Sequence, residues 1–210
     1  MIRGLERGQK PALIISECQL GMVDPAVQDR ELNRQVQTRG ILPRIAELAE
    51  TFRAAGAPVI HCTITPPAQY ENWPVNCVIF GIVRRTGLLY AGSPAAEIAA
   101  EVAPKAGDIV CDRRSGLTGF AQTELERTLR SFGVGTVVLT GVSTNIALPG
   151  MAIEAINRLF EVVIPEDCTA GATAESHTAQ ITTNLPTIAQ ISTAAEVASV
   201  VSTAAWRRPA

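Results

Sequence analysis

A strand–helix–strand pattern is clearest in residues 133–171, which read GVGTVVLTGVSTNIALPGMAIEAINRLFEVVIPEDCTAG. The β-branched runs TVVLTG (136–141) and EVVIPED (161–167) predict two buried strands, and segment 144–158 between them has the apolar spacing of an amphipathic helix. Gly133 stands where a preceding helix would end. A unit of this kind typically pairs its two strands in parallel, because the helix carries the chain back to the same edge.

The same alternation extends over most of the chain. Further strands are predicted at 12–16, 58–64, 108–112 and 187–192, and further amphipathic segments at 30–55, 93–102, 121–132 and 173–184. This order predicts an α/β fold: a single-domain, doubly wound (Rossmann-like), mostly parallel six-stranded sheet with helices on both faces. Residues 64–92 break the pattern and hold four of the nine aromatic residues, so we predict either a lid or an oligomer contact there.

The composition excludes several classes of protein. The 210 residues suit one domain, and a net charge of -2 disfavours binding to nucleic acid or to an acidic membrane surface. The N-terminal stretch MIRGLERGQK lacks the apolar core of a secretion signal, which predicts a cytoplasmic protein. Five cysteines without a C-x-x-C pair argue against both a disulfide framework and a zinc site.

The topology also predicts where a ligand binds. In open parallel sheets the ligand lies at the carboxyl ends of the strands, near the point where the strand order reverses. The segments that follow the predicted strands are 16–19, 61–65, 111–115, 141–147 and 166–168. Candidate functional residues are therefore sought in these five segments.

Residues 113–171 resemble the middle of an isochorismatase-like, or cysteine hydrolase, domain. That family's pattern leads from a Lys, through Ser-x-Phe and Thr-x-Leu, to a strand ending Gly-Val-x-Thr, a Cys-bearing helix start and a strand ending in Asp. The matching residues here are Phe120, Thr123, Leu125, Gly141, Val142, Thr144 and Asp167. The segment ALIISECQLGM (12–22) is similar to the family's first strand, which leads into Asp-x-Gln. The resemblance implies one hydrolase domain over residues 1–210.

The family's catalytic triad of Asp, Lys and Cys is replaced at all three positions. Glu17 stands at the place of the Asp, and Ala147 stands at the place of the Cys. Arg114 corresponds to the Lys, with Arg113 as the alternative if the loop is offset. The resemblance therefore implies a divergent member without the nucleophilic cysteine.

Acid–base chemistry remains available to such a site. The backbone amides of Ser143 and Ala147, at a predicted helix N-terminus, are suited to receive developing negative charge. Glu17 is the candidate acid or base, and Arg114 is the candidate electrostatic clamp. One branch of the family lacks the Cys and hydrates a vinyl ether with an acid at the place of Glu17. The resemblance also implies a cis peptide bond at Val142–Ser143.

Six more residues are candidates for contacting a substrate, which we expect to be a small carboxylated or carbonyl-bearing metabolite. They are Gln19, His61, Trp73, Arg113, Phe120 and Asn145. No metal or other cofactor is predicted, because HCTITPP (61–67) offers His61 no second ligand and the glycines lack G-x-G-x-x-G spacing. The resemblance implies a homodimer or homotetramer. Two other functions stay open: a non-catalytic homologue that binds a metabolite or a partner protein, and a lyase or isomerase.

Overall fold

A single sheet forms the centre of the protein in the computed structural model, which describes residues 2–5 and 8–203. Its strands within these residues are β1 (Lys10–Ser16), β2 (Val59–Ile64), β3 (Ile109–Arg113), β4 (Val134–Val142), β5 (Glu161–Pro165), β6 (Thr169–Ala170) and β7 (Gln190–Ser192). The α-helices are α1 (Leu20–Val23), α2 (Glu31–Arg39), α3 (Ile41–Ala54), α4 (Val78–Thr86), α5 (Leu125–Ser131), α6 (Ala147–Asn157), α7 (Ala174–Ala179) and α8 (Ala194–Thr203).

The strand order is β3-β2-β1-β4-β5-β7, and the short β6 pairs with β4 beyond the end of β5. All pairs between these strands are parallel. The chain builds outward from β1 through β2 to β3, and then returns to the other side of β1 as β4. The strand order therefore reverses between β1 and β4, which is the place where such sheets bind ligands.

Both faces of the sheet are covered by helices. On one face Leu13 and Val138 pack with Leu48 of α3 and Val197 of α8 in one apolar core. On the other face, Leu129 of α5 and further residues of α6 pack in a second core. Because the central strands are buried on both faces, they appear in the sequence as nearly continuous apolar runs.

The predicted α/β fold is confirmed, and all six predicted strands are present. A seventh strand, β6, was not predicted because two residues carry no periodic pattern. The segment 30–55 forms two helices that are separated at Gly40. Helix α8 was not predicted.

The predicted helix at 93–102 was wrong. This segment contains two 3₁₀ turns, Pro94–Ala96 and Ala100–Val102, with extended backbone between them. The extended part pairs with the chain after β1: Leu20 N donates to Glu97 O over 2.8 Å, and Ala99 N donates to Cys18 O over 2.9 Å. Those long-range hydrogen bonds replace the bonds that a helix would have made.

None of the described helices is long and apolar enough to cross a membrane.

Candidate active site

A pocket of about 80 Å³ lies at the carboxyl ends of β1, β3 and β4. Its polar lining residues are Glu17, Arg30, Arg113 and Ser143. The remainder of its wall is mostly apolar and is formed by Met22, Ile64, Ile79, Phe80, Ile82, Val83, Leu88, Leu89, Gly116, Leu117, Ile146 and Ala147. The pocket therefore combines a few charged groups with a mostly apolar wall, as ligand sites commonly do.

Glu17 and Arg113 form a buried ion pair in this pocket. Glu17 is 7% exposed and Arg113 is 2% exposed, and Nη2 of Arg113 donates to Oε1 of Glu17. The other two guanidinium nitrogens are also held: Nε donates to Gly116 O over 3.1 Å, and Nη1 donates to Thr63 O over 3.2 Å. The pair is therefore fixed in position by the backbone at the ends of β2 and β3.

The backbone of Glu17 is in an unusual conformation. Its φ is +52°, in the left-handed region, and its N–H donates to Cys62 O over 2.8 Å. For a residue with a Cβ this region costs about 1–2 kcal/mol, and such strained residues cluster at functional sites. The strain therefore supports a functional role for Glu17.

The turn between β4 and α6 leaves two amides free. Among the described residues, neither Ser143 N nor Ala147 N has a hydrogen-bond acceptor, although Thr144 N between them donates to Ala170 O over 3.0 Å. The Val142–Ser143 peptide bond is cis, as the resemblance implied. Since Ser143 and Ala147 both line the pocket, their N–H groups are available to a negatively charged oxygen there.

His177 of α7 supports this turn from behind. Its Nδ1 lies 3.2 Å from Oγ1 of the buried Thr144, and its Nε2 lies 3.6 Å from Oε2 of Glu166. Glu166 in turn is paired with Arg39, whose Nη2 lies 2.6 Å from the same oxygen. The contact with His177 thus helps to hold Thr144, which lies between the two free amides.

Helix α4 and the segment before it close the pocket. The Trp73 ring packs against Phe80 with ring centroids 4.8 Å apart, and its Nε1 donates to Phe80 O over 3.1 Å. Ile79, Phe80 and Ile82 line the pocket on this side. Within residues 64–92, where a lid or an oligomer contact was predicted, α4 has the position of a lid.

A comparison with known families places the chain in one of them. The model of the isochorismatase domain matches residues 11–196. The chain belongs to the isochorismatase family. A family protein named YecD, from Escherichia coli O157:H7, is 32% identical over 168 residues, which are 75% of this chain and 81% of YecD.

Two other similar proteins extend this comparison. Maleamate amidohydrolase of Pseudomonas putida is 26% identical over 181 residues, which cover 83% of this chain and 78% of that protein. The crystal structure of a cysteine hydrolase from Pseudomonas syringae pv. phaseolicola 1448A has a TM-score of 0.84 at 21% identity, over 97% of this chain and 98% of that one. At this identity the structural likeness supports the family's fold.

The arginine beside Glu17 is Arg113, which corrects the predicted placement of Arg114. The side chain of Arg114 is 63% exposed, and its nearest carboxylate is Asp112, 3.8 Å away. Side chains alternate along β3, so Arg113 shares the buried face with Cys111 while Asp112 points outward. A shift of one residue thus separates the arginine in the site from the arginine at the surface.

Three of the predicted substrate contacts lie outside the pocket. His61 is buried in the middle of β2 and does not line the pocket; its Nε2 lies 3.3 Å from Oδ2 of Asp108, the residue before β3. Phe120 stacks on Phe160 in the core, with ring centroids 6.5 Å apart. Trp73 packs behind Phe80 and does not line this pocket.

Gln19 and Asn145 support the backbone around the site. The fully buried Gln19 donates through Nε2 to Ile64 O (3.0 Å) and Ala96 O (2.9 Å), and its Oε1 accepts from Ile64 N (2.9 Å). Asn145 accepts a hydrogen bond from Ala172 N. Both side chains therefore hold loops in place, and the predicted contact of either with substrate has no counterpart in the lining of the pocket.

Sequence reasoning missed Arg30, which lines the pocket from the residue before α2. No strand ends near it and no motif marks it, so only the folded chain shows its position. Within the described residues, no group of three or more His, Cys, Asp or Glu side chains is placed to hold a metal ion.

The two buried histidines should make the free energy of unfolding depend on pH. Burial lowers the pKa of His61 and of His177 below the usual value of 6.5. As the pH falls through 6.5, the unfolded chain binds protons that the folded chain does not, so the free energy of unfolding should fall. The slope is at most about 1.4 kcal/mol per pH unit for each histidine.

Urea unfolding between pH 7.5 and 5.5 measures this slope. In the double variant His61→Gln, His177→Gln the slope should be much smaller than in the wild type. Asp108, whose pKa is lowered, titrates below 3.8 and does not contribute in this range. An equal slope in the wild type and the double variant would contradict the prediction.

Proposed function

We propose that the protein is a hydrolase without a cysteine nucleophile, which uses Glu17 to activate water for attack on a small carboxylated or carbonyl-bearing metabolite. The observation that carries the proposal is that a buried carboxylate–guanidinium pair and two unbonded backbone amides line one pocket. A base and an acceptor of negative charge are the two groups that hydrolysis of a carbonyl compound requires.

The ion pair leaves one oxygen of Glu17 available to act as a base. Nη2 of Arg113 donates to Oε1 of Glu17, while Oε2 accepts no hydrogen bond from a described residue. A carboxylate oxygen within hydrogen-bond reach of a bound water can take its proton. Arg113 thereby positions the carboxylate, and Oε2 is the atom that would receive the proton.

The proposed hydrolysis consumes one water molecule. The Glu17 carboxylate takes a proton from water while the water oxygen forms a bond to the substrate carbonyl carbon. The electron pair of the C=O bond moves to oxygen, where the N–H groups of Ser143 and Ala147 stabilise the negative charge. As this charge returns to the carbonyl, the bond to the leaving group breaks, and the leaving group takes the proton from Glu17.

The thiols of the chain do not offer an alternative nucleophile in this pocket. Cys18, Cys62, Cys111 and Cys168 are buried, and none of the five cysteines lines it. Burial raises the pKa of Cys18 to about 12 and also raises the pKa of Cys62, so neither thiol is ionised at neutral pH. Ala147, which lines the pocket, carries no group that could act as a nucleophile.

An amide of a small carboxylic acid is the first substrate class to test, because a relative is named maleamate amidohydrolase. Purified protein is incubated in H₂¹⁸O with small amides, esters and vinyl ethers that carry a carboxylate. Hydrolysis by attack of water on the carbonyl places ¹⁸O in the product acid. A purified, folded protein that turns over none of these compounds, or that converts one without incorporating ¹⁸O, would contradict the proposal and favour a binding protein or a lyase.

Thiol reagents provide an independent check. Activity should change by less than about twofold after treatment with iodoacetamide, because the thiolate is the reactive form and the buried thiols are not ionised. Cys77, the half-buried cysteine just before α4, is the thiol most open to the reagent. The Cys77→Ser variant is therefore the matched control. Loss of its activity on alkylation would show that a buried thiol takes part.

A further inference from the structure

Arg30 is the only charged residue of the pocket wall that has no counter-ion among the described residues. Glu17 and Arg113 pair with each other, and no described carboxylate forms an ion pair with Arg30. Its Nη2 donates to Gly21 O over 2.9 Å and lies 3.4 Å from Sδ of Met22. These neutral partners position the guanidinium without neutralising its charge.

The hydrogen-bonding capacity of Arg30 is mostly unused. Its Nε is buried without any hydrogen-bond partner, and its Nη1 makes no hydrogen bond to a described residue. By contrast, Arg113 bonds through all three of its nitrogens. Burying a charged donor without an acceptor is costly, and burial accordingly lowers the pKa of Arg30. A ligand that supplies an acceptor would offset this cost.

The charges of the pocket wall leave one positive charge unbalanced. Glu17 contributes one negative charge, while Arg30 and Arg113 contribute two positive charges. The surrounding wall is mostly apolar, and electrostatic attraction is stronger in such an environment than in water. A singly charged anion is therefore the ligand that this pocket would bind best.

We infer that Arg30 is the specificity-determining residue of the site, and that it binds a carboxylate at the end of a small substrate away from the scissile carbonyl. A guanidinium forms two parallel hydrogen bonds with a carboxylate, which fixes orientation as well as charge. This inference rests on the proposed function for its reaction, but the binding step can be measured without turnover. The inference identifies the substrate class as carboxylates with a single negative charge.

The other arginines near the site do not supply this charge. Arg84 and Arg85 are exposed in the last turn of α4, outside the pocket lining, and Arg114 lies at the surface beside Asp112. Arg113 is committed to Glu17. Arg30 is thus the one arginine of the pocket wall that remains for a ligand.

Calorimetric binding of matched pairs of probes tests the inference. The probes are acetate, crotonate and benzoate, none of which carries a scissile amide, each compared with its uncharged amide: acetamide, crotonamide and benzamide. The wild type should bind at least one carboxylate more tightly than its amide. Arg30→Gln should weaken binding of that carboxylate by about 10- to 100-fold, the range expected for hydrogen bonds to a charged group, and should leave binding of the amide within about twofold.

Two further variants make the result specific. Arg30→Lys keeps the positive charge but lacks the paired N–H donors of a guanidinium, so it should bind the carboxylate more tightly than Arg30→Gln and less tightly than the wild type. It also replaces Arg30→Gln in the test if that variant does not fold. Arg84→Gln removes an equal charge outside the pocket and should bind like the wild type. Equal binding of every carboxylate and its amide by the wild type, or full carboxylate affinity in the Arg30 variants, would overturn the inference.

The variant Glu17→Gln separates this inference from the proposed function. If Glu17→Gln still hydrolyses substrate while the Arg30 variants lose carboxylate binding, the mechanism fails and the assignment of Arg30 stands. If Glu17→Gln is inactive while Arg30→Gln binds carboxylates normally, the assignment of Arg30 fails and the mechanism stands.

Discussion

Glu17→Gln should lower kcat/KM by about 10²- to 10⁴-fold, the usual contribution of a general base. Glutamine has nearly the same shape, and its carbonyl oxygen can still accept the hydrogen bond that Oε1 of Glu17 now accepts from Arg113. What is lost is the capacity to take a proton from water. The effect should therefore appear in kcat, with a much smaller change in KM, and steady-state kinetics on the best substrate of the screen measures both.

Glu17→Asp is the matched control for this variant. It keeps the carboxylate and restores the residue that the family resemblance implies at this position, but it withdraws the carboxylate by one methylene. A displacement of about 1 Å can cost about 10²-fold in rate, so Glu17→Asp should retain more activity than Glu17→Gln but less than the wild type. Full activity in Glu17→Gln would eliminate Glu17 as the base.

Gly141→Ala should destabilise the fold by about 3–5 kcal/mol, which is exceptional for a single methyl group. Gly141 has a φ of +92°, and a Cβ at this position would lie 2.1 Å from the backbone oxygen of Ser16. No side-chain rotation can relieve a clash with backbone. β1 and β4 would have to separate at the point where the strand order reverses, next to Glu17. Urea unfolding measures the loss of stability.

Gly133→Ala separates the two contributions to that loss. Gly133 has a φ of +65°, but a Cβ there would meet no atom within 4 Å. This variant should therefore cost only the backbone term, about 1–2 kcal/mol. Equal destabilisation by the two substitutions would show that close packing of Gly141 against Ser16 does not matter.

The strands and the two amides were predictable for a common reason. The apolar runs that become β1 and β4 are long and β-branched, and parallel strands place their carboxyl ends at one edge of the sheet. Glu17 and Ser143 immediately follow these strands, and Ala147 begins the helix after β4, so the topology alone brings them together. Their positions follow from the path of the backbone and do not depend on which face of a strand a side chain occupies.

The remaining site residues depended on features that are not encoded locally. The choice between Arg113 and Arg114 depends on which face of β3 each residue occupies, and an error of one residue in the alignment exchanges the buried face for the exposed one. His61 was placed wrongly because it lies three residues before the end of β2 and contacts Asp108, which precedes β3. Arg30 reaches the pocket from a turn between helices, where its place is set by contacts with Gly21 and Met22.

The two free amides make one part of the site resistant to mutation. Every amino acid except proline has a backbone N–H, so most substitutions at positions 143 and 147 leave both donors in place. A change of side chain at position 147 can therefore add or remove a nucleophile while the capacity to stabilise an anion persists. A site built in this way can pass from one reaction mechanism to another through single substitutions, without first losing the backbone arrangement that both mechanisms need.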